Sequence, residues 1–183
     1  MRKVNLLLLA AMLVTVACKN DDQNNPGAEL TEADKTFVNM AADGGMFEVR
    51  AGEMAVAKGD STSRGFMDGD SLSVKSYGRM MITDHTKVNE ELMGLALRRQ
   101  TGVPTTLSTA KQQKLDSLSA ASGVMFNQMY MKMMVASHQE TIILFKSNAS
   151  AGNDIELKSW SSDKIPALEH HLEMAEMLRD SVK

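Results

Sequence analysis

Apolar residues recur at helical spacing from about residue 30 to the end of the chain, and no long segment alternates as a half-buried strand would. The pattern therefore predicts an all-α domain over residues 31–183. Its predicted long helices are 31–58, 70–100, 124–150 and 153–181, with a shorter amphipathic helix at 105–121 and a polar loop at 59–69.

The connection between the second and third long helices predicts the topology. Residues 101–123 separate them, whereas antiparallel neighbours in a bundle need only about two to eight connecting residues. A connection of this length can travel along the whole bundle and leave the two helices parallel. We therefore predict a four-helix bundle with ferritin-like topology and a crossover at 101–123.

Composition narrows the class of protein. The chain has 183 residues, enough for one core of ordinary size, with 20 Lys and Arg against 23 Asp and Glu. An acidic balance argues against a nucleic-acid partner, because such binding needs clustered positive charge. The single cysteine excludes an internal disulfide framework and a zinc site built from several thiolates.

The N-terminal segment has the pattern of a secretory signal. Arg2 and Lys3 precede the apolar run Leu6–Val16, which is shorter than the roughly 20 residues of a spanning helix. The run ends in Thr15-Val16-Ala17-Cys18, which resembles the lipobox of bacterial lipoproteins. The resemblance implies a signal peptide at 1–17, lipidation of Cys18, and a polar tether at 18–30. We accordingly expect an outer-membrane lipoprotein of the cell envelope, facing the periplasm or the cell surface.

One polar residue interrupts the apolar stripe near the middle of each long helix. These residues are Glu48, His85, His138 and His171. Side chains of such stripes point toward the bundle axis, so the four are predicted to form one cluster. Imidazole and carboxylate groups are ligands for first-row metals, and copper or zinc is the candidate ion. The alternative is a metal-free cluster in which each group is satisfied by hydrogen bonds.

Other residues near these positions are possible auxiliaries. Met81, Met134 and Met174 each stand about one turn from an axis-facing histidine, and thioethers suit copper, especially Cu(I). Methionine is also an adaptable core residue, so packing alone can explain them. Asp84 could orient an imidazole from a neighbouring helix, and Tyr130 could supply a hydrogen bond in the same layer.

The sequence argues against several enzyme classes. Di-iron bundles place a Glu three residues before each of two ligating histidines, but the corresponding positions here hold Ile82, Val135 and Leu168. Nucleophile elbows and phosphate-binding glycine loops are also absent from the sequence. We therefore expect a binding protein rather than an enzyme.

Short motifs in a fixed order resemble a known family. They are Met46-Phe47-Glu48-Val49 with Gly52 and Ala55, then Asp84-His85, then Phe126 with Tyr130 and His138, then Pro166-Ala167-Leu168 with His171-Leu172. Over roughly 35–178 the chain resembles the bacterial envelope family known as domain of unknown function 4142. The resemblance implies a ferritin-like bundle in the envelope and no particular activity.

Two functional hypotheses follow. In the first, Glu48, His85, His138 and His171 hold one copper or zinc ion in a protein of stress or metal tolerance. In the second, the cluster only fixes the register of a scaffold whose outer face meets another envelope protein.

The lipidation hypothesis predicts the behaviour of a Cys18→Ser variant. Because the acyl chains would be attached through the Cys18 sulfur, we expect the variant to leave the membrane fraction and to lose labelling by a fatty-acid analogue. Cell fractionation and metabolic labelling measure both effects. Unchanged membrane association would contradict lipidation at this residue.

Overall fold

The computed structural model describes residues 29–67 and 69–183. The predicted signal peptide, Cys18 and nearly all of the tether lie outside the described residues. The described elements are α1 (Glu32–Lys58), β1 (Phe66–Met67), β2 (Asp70–Ser71), α2 (Val74–Arg98), α3 (Thr109–Ala120), α4 (Gly123–Ala151) and α5 (Ile155–Ser181). The all-α prediction is confirmed.

Local hydrogen bonds set where the helices begin. Thr31, Ser108 and Asp154 cap α1, α3 and α5, each accepting a hydrogen bond from the backbone N–H three residues later. Ser73 begins α2 through a reciprocal capping box with Ser76. The predictions of a first residue at 70 for α2 and at 105 for α3 were therefore early.

The predicted polar loop before α2 contains a small hairpin. β1 and β2 pair antiparallel, with Phe66 opposite Ser71. The hairpin is attached to the end of α5, because Arg64 Nη1 donates to the Ser181 carbonyl at 2.9 Å. This pairing takes up Asp70 and Ser71, which had been predicted as the first turn of α2.

Contacts at the two ends of α1 establish its direction relative to α4. Near the start of α1, Asp34 Oδ1 accepts from the backbone N–H of Asn153, just after α4, at 2.9 Å. Just after the end of α1, the N–H of Asp60 donates to Asn127 Oδ1, in the first turns of α4, at 3.1 Å. The two helices are therefore antiparallel.

The remaining contacts complete the topology. Gly45 and Gly52 of α1 approach Asn89 and Gly78 of α2 respectively, which makes these helices antiparallel as well. Since α1 is antiparallel to both α2 and α4, α2 and α4 run parallel. The predicted ferritin-like arrangement is thus present in the described part of the chain.

The crossover follows α1 along the bundle. The N–H and the hydroxyl of Ser108 both donate to the Asp43 carboxylate, each at 2.7 Å. About four turns further along α1, Lys58 Nζ donates to the carbonyl of Ser119 at the end of α3. These contacts fix both ends of α3 against α1.

The core consists of two apolar clusters. The lower cluster surrounds the ends of α1 and α5 and the starts of α2 and α4, and includes Phe47, Tyr77, Met131 and Leu178. The upper cluster surrounds the opposite helix ends and includes Trp160. The chain positions of the buried Glu and His residues place them between these clusters.

Among the described residues, no helix has the combination of length and apolar character that a membrane span requires.

Backbones of α1 and α2 come close together at Gly52 and Gly78. A Cβ built on Gly78 would lie 2.8 Å from Ala55 Cβ and 2.9 Å from the Gly52 carbonyl oxygen. These distances are shorter than normal van der Waals contacts, so only glycine fits without a shift of the helices.

Two identical substitutions in α2 test this contact. We expect Gly78→Ala to lower the free energy of unfolding by about 1–3 kcal/mol, because the added methyl group separates α1 and α2. Gly94→Ala is the matched control: its Cβ would meet only Arg98 Nη1, at 3.8 Å. The control should be neutral or stabilising by up to about 1 kcal/mol. Urea unfolding followed by circular dichroism measures both, and equal effects would contradict the close approach.

Candidate metal centre

The four long helices bring four polar residues to one interior layer. Glu48 lies on α1, His85 on α2, His138 on α4 and His171 on α5, and each is at most 5% exposed. The imidazole centroids are 5.4 Å apart for His85 with His138, 5.4 Å for His85 with His171, and 5.5 Å for His138 with His171. The four predicted residues therefore lie in one cluster.

Glu48 is the anionic centre of this layer. Its Oε2 lies 3.0 Å from His85 Nδ1, and its Oε1 accepts a hydrogen bond from the Ser137 hydroxyl at 2.9 Å. Burial of Glu48 acts to raise its pKa. Electrostatic attraction to His85 and His138, with hydrogen bonds from His85 and Ser137, outweighs this effect and lowers the pKa to about 2. Glu48 is therefore ionised although no solvent reaches it.

The three histidines differ in their charge environments. Burial acts to lower the pKa of His85, but the adjacent Glu48 carboxylate raises it above the ordinary value. For His138, burial dominates over the attraction of Glu48 and lowers the pKa to about 4. His138 is thus a neutral imidazole at pH 7, the form that binds metals.

Each histidine uses one ring nitrogen for an orienting contact. His85 Nδ1 faces Glu48, and His138 Nδ1 donates to the Met134 carbonyl at 2.9 Å. His171 Nε2 lies 3.0 Å from Asp84 Oδ2, and this hydrogen bond holds the pKa of Asp84 below its ordinary value. Carbonyl and carboxylate oxygens only accept, so His138 Nδ1 and His171 Nε2 carry protons.

The other ring nitrogens have no hydrogen-bond partner. They are His85 Nε2, His138 Nε2 and His171 Nδ1, and all are buried. In the described part of the chain, these three histidines form the one group of His, Cys, Asp or Glu residues able to hold a metal ion, with one ligand atom from each within 4.8 Å of the others. Tetrahedral coordination at about 2.0–2.1 Å requires nitrogens roughly 3.3 Å apart, so binding needs a small inward movement of the rings.

Glu48 and Asp84 each contact a histidine of another helix. Glu48, predicted as a fourth ligand, contacts the Nδ1 side of His85 and is not among the converging ligand atoms. Asp84 lies on α2 and contacts His171 on α5, in the orienting position expected for it. Each carboxylate therefore orients an imidazole of a neighbouring helix.

Tyr130 does not make the predicted hydrogen bond. Its hydroxyl is buried without a partner, and its ring stacks on Phe126 at 6.0 Å between centroids. Burial, followed by the charge of Glu48, raises the pKa of Tyr130 well above its ordinary value. Tyr130 is therefore neutral and belongs to the aromatic part of the lower cluster.

The three predicted auxiliary methionines are buried in the same lower cluster. Met81, Met134 and Met174 are at most 3% exposed and pack there with aromatic and aliphatic side chains. Met134 also contributes its backbone carbonyl to His138. The structure thus gives all three a packing role.

Ser137 and Tyr77 belong to the site but were not predicted. Ser137 adjoins His138 in sequence, and neighbouring residues of a helix point in different directions, so the stripe that contains His138 gives no signal for it. Tyr77 stands about two turns before His85, and its hydroxyl donates to the His171 carbonyl at 3.1 Å. The spacing of Tyr77 on the His85 stripe could have revealed it.

These features define a helical bundle whose interior holds a buried histidine cluster. A family model described as Domain of unknown function (DUF4142) matches residues 19–178. The chain belongs to this family, which confirms the resemblance found in the sequence motifs. Comparison with curated proteins and with solved structures finds no match to this chain.

The central role of Glu48 predicts a large loss of stability in a Glu48→Ala variant. Removing the carboxylate leaves the buried His85 and Ser137 without their partner, and the free energy of unfolding should fall by about 3–5 kcal/mol. Glu53→Ala changes an exposed residue of the same helix and should alter it by less than about 0.5 kcal/mol. Urea unfolding in the presence of a chelator measures both. A Glu48→Ala variant as stable as the control would contradict the pairing.

Proposed function

We propose that this protein binds one transition-metal ion, copper or zinc, through His85, His138 and His171, as a lipid-anchored protein of the bacterial cell envelope. The ion would occupy the space between the three ring nitrogens that lack hydrogen-bond partners. The observation that carries the proposal is a group of three buried histidines whose ligand atoms lie within 4.8 Å of one another, each with one ring nitrogen that lacks a hydrogen-bond partner. Buried polar atoms are otherwise almost always hydrogen-bonded in native proteins.

The opposite side of each ring supports the same proposal. Metal-binding histidines usually donate their second ring N–H to a carboxylate or a backbone carbonyl, which fixes the tautomer and the ring direction. Glu48, the Met134 carbonyl and Asp84 contact the second nitrogens of His85, His138 and His171. All three rings are thus oriented as metal ligands would be.

Burial favours binding over catalysis. The three histidines are at most 5% exposed, so an organic substrate has no direct access to an ion among them. A protein of this kind would retain or deliver the ion in metal or stress tolerance. Three protein ligands leave a fourth position for water or another small ligand.

A metal-free scaffold is the second candidate. Glu48 contacts both His85 and Ser137, and this network alone can fix the register of three helices. In that case the outer face of the bundle would meet another envelope protein, and the cluster would have no affinity for metals.

Two neighbouring histidines of α5 distinguish the candidates. His171 belongs to the converging group, whereas His170 does not. Loss of a residue that only hydrogen-bonds to a metal ligand typically lowers metal affinity 10–100-fold. His171→Ala removes a ligand itself, so it should lower the affinity for copper or zinc by more than about 100-fold. His170→Ala should leave the affinity within about threefold of the wild type.

The measurement combines elemental analysis with metal titration. The protein is purified from membranes in detergent without an affinity tag, and metal content and competition with a chromophoric chelator are then determined. A stoichiometry near one ion per chain, lost in His171→Ala alone, supports the metal site. Absence of specific uptake by the wild type would contradict it and leave the scaffold.

A further inference from the structure

The three histidines of the proposed metal site come from three helices and form a nearly regular triangle. Their ring centroids are 5.4 Å apart for His85 with His138, 5.4 Å for His85 with His171, and 5.5 Å for His138 with His171. No side of this triangle is markedly longer than the others. Two of the rings therefore do not lie opposite each other across a shared centre.

The shape of the triangle distinguishes between coordination geometries. The ligands of a tetrahedral site are equidistant, so any three of them form an equilateral triangle. In a square-planar site, two of any three ligands lie opposite each other, and their separation exceeds the other two by a factor of about 1.4. The histidine triangle thus matches the tetrahedral preference of Zn²⁺ and not the tetragonal preference of Cu²⁺.

The carboxylates around the site distinguish Zn²⁺ from Cu(I). Glu48 Oε2 lies 3.0 Å from His85 Nδ1, and Asp84 Oδ2 lies 3.0 Å from His171 Nε2. With neutral imidazoles, the two carboxylates offset both positive charges of Zn²⁺, whereas Cu(I) would leave one negative charge uncompensated. Such a charge is costly at this layer, because Glu48 is fully buried.

The donor atoms favour the same ion. Thioethers would favour Cu(I), but Met81, Met134 and Met174 pack in the lower cluster with aromatic and aliphatic side chains. Zinc in proteins is bound by imidazole, thiolate and carboxylate groups. The group of ligand atoms within 4.8 Å of one another consists of three imidazoles.

We propose that the ion is Zn²⁺, held tetrahedrally by His85, His138 and His171 and by a water molecule or another small ligand. Glu48 and Asp84 offset its charge through the rings that they contact. This inference rests on the proposed metal site and adds the identity of the ion. Since Zn²⁺ has no redox chemistry, the protein would retain or deliver the ion without electron transfer.

Copper and zinc offered together test the identity of the ion. Cells that produce the full chain are grown with equal concentrations of both metals, and the untagged protein is purified from membranes in detergent for elemental analysis. We expect zinc near one ion per chain and less than about a tenth as much copper. Copper at or above the zinc content would overturn the inference and leave the proposed function, whereas absence of both metals would overturn the proposed function itself.

Co²⁺ reports the geometry of the site, because tetrahedral Co²⁺ absorbs visible light far more strongly than octahedral Co²⁺. Titration of the metal-free full chain should produce the intense tetrahedral bands, and an equivalent amount of Zn²⁺ should abolish them. His170→Ala should keep this spectrum and His171→Ala should lose it. Weak octahedral bands in the wild type would overturn the tetrahedral assignment.

An isosteric substitution tests the role of charge. Asp84→Asn keeps an oxygen that can accept from His171 and removes the negative charge. Its Zn²⁺ affinity should fall about tenfold and its Cu(I) affinity only about threefold, because Coulomb energy is proportional to the charge of the ion. Competition with chromophoric chelators measures both affinities, anaerobically for Cu(I).

Asp163→Asn is the matched control for this substitution. It removes the same charge from an exposed position of α5 and should leave both affinities within about twofold of the wild type. Equal losses of Zn²⁺ and Cu(I) affinity in Asp84→Asn would contradict charge compensation, as would unchanged affinities for both ions.

Discussion

A carboxylate without solvent access sets the geometry of the bundle centre. An ion in this position costs several kcal/mol unless partners surround it, so the fold must bring partners to Glu48 from other helices. His85 of α2 and Ser137 of α4 both contact it, and His138 Nδ1 lies 3.7 Å from its Oε1. The axial register of α1, α2 and α4 is therefore fixed at this layer. Helix α5 joins through His171, which contacts α2 by its ring and its carbonyl.

Helical periodicity and connection length were sufficient to predict the fold. The apolar stripes mark the face that each long helix buries, and the 101–123 connection is long enough to leave the second and third helices parallel. The errors lie at the helix starts, because contacts between residues distant in sequence determine where a helix begins. Asp70 and Ser71 pair in a hairpin attached to the end of α5. Ser108 is held by Asp43, and the helix starts only after this residue. Neither contact can be predicted from the local sequence around the helix start.

The residues of the site were predictable to a greater extent than their roles. Stripe position determines which side chains face the axis, and Glu48 and the three histidines do lie together. It does not determine which imidazole nitrogen turns inward, because that depends on which acceptor the other nitrogen finds. Glu48 was expected among the ligands, and in the structure its Oε2 lies 3.0 Å from His85 Nδ1. Tyr130 is an axis-facing residue whose ring stacking directs it into the aromatic cluster instead.

The energetic cost of the buried Glu and His residues bears on whether their role is purely structural. Glu48 with His85 and Ser137 would be sufficient to fix the register of three helices. The unpartnered nitrogens of His138 and His171 add nothing to that role, and each buried polar atom without a partner costs about 1–3 kcal/mol. Since a whole domain is stable by only about 5–15 kcal/mol, two such atoms are a substantial loss. Apolar residues at these positions would build a more stable scaffold. Coordination of an ion, as proposed above, would give these nitrogens partners, which is a physical reason for the cluster that the scaffold alone does not supply.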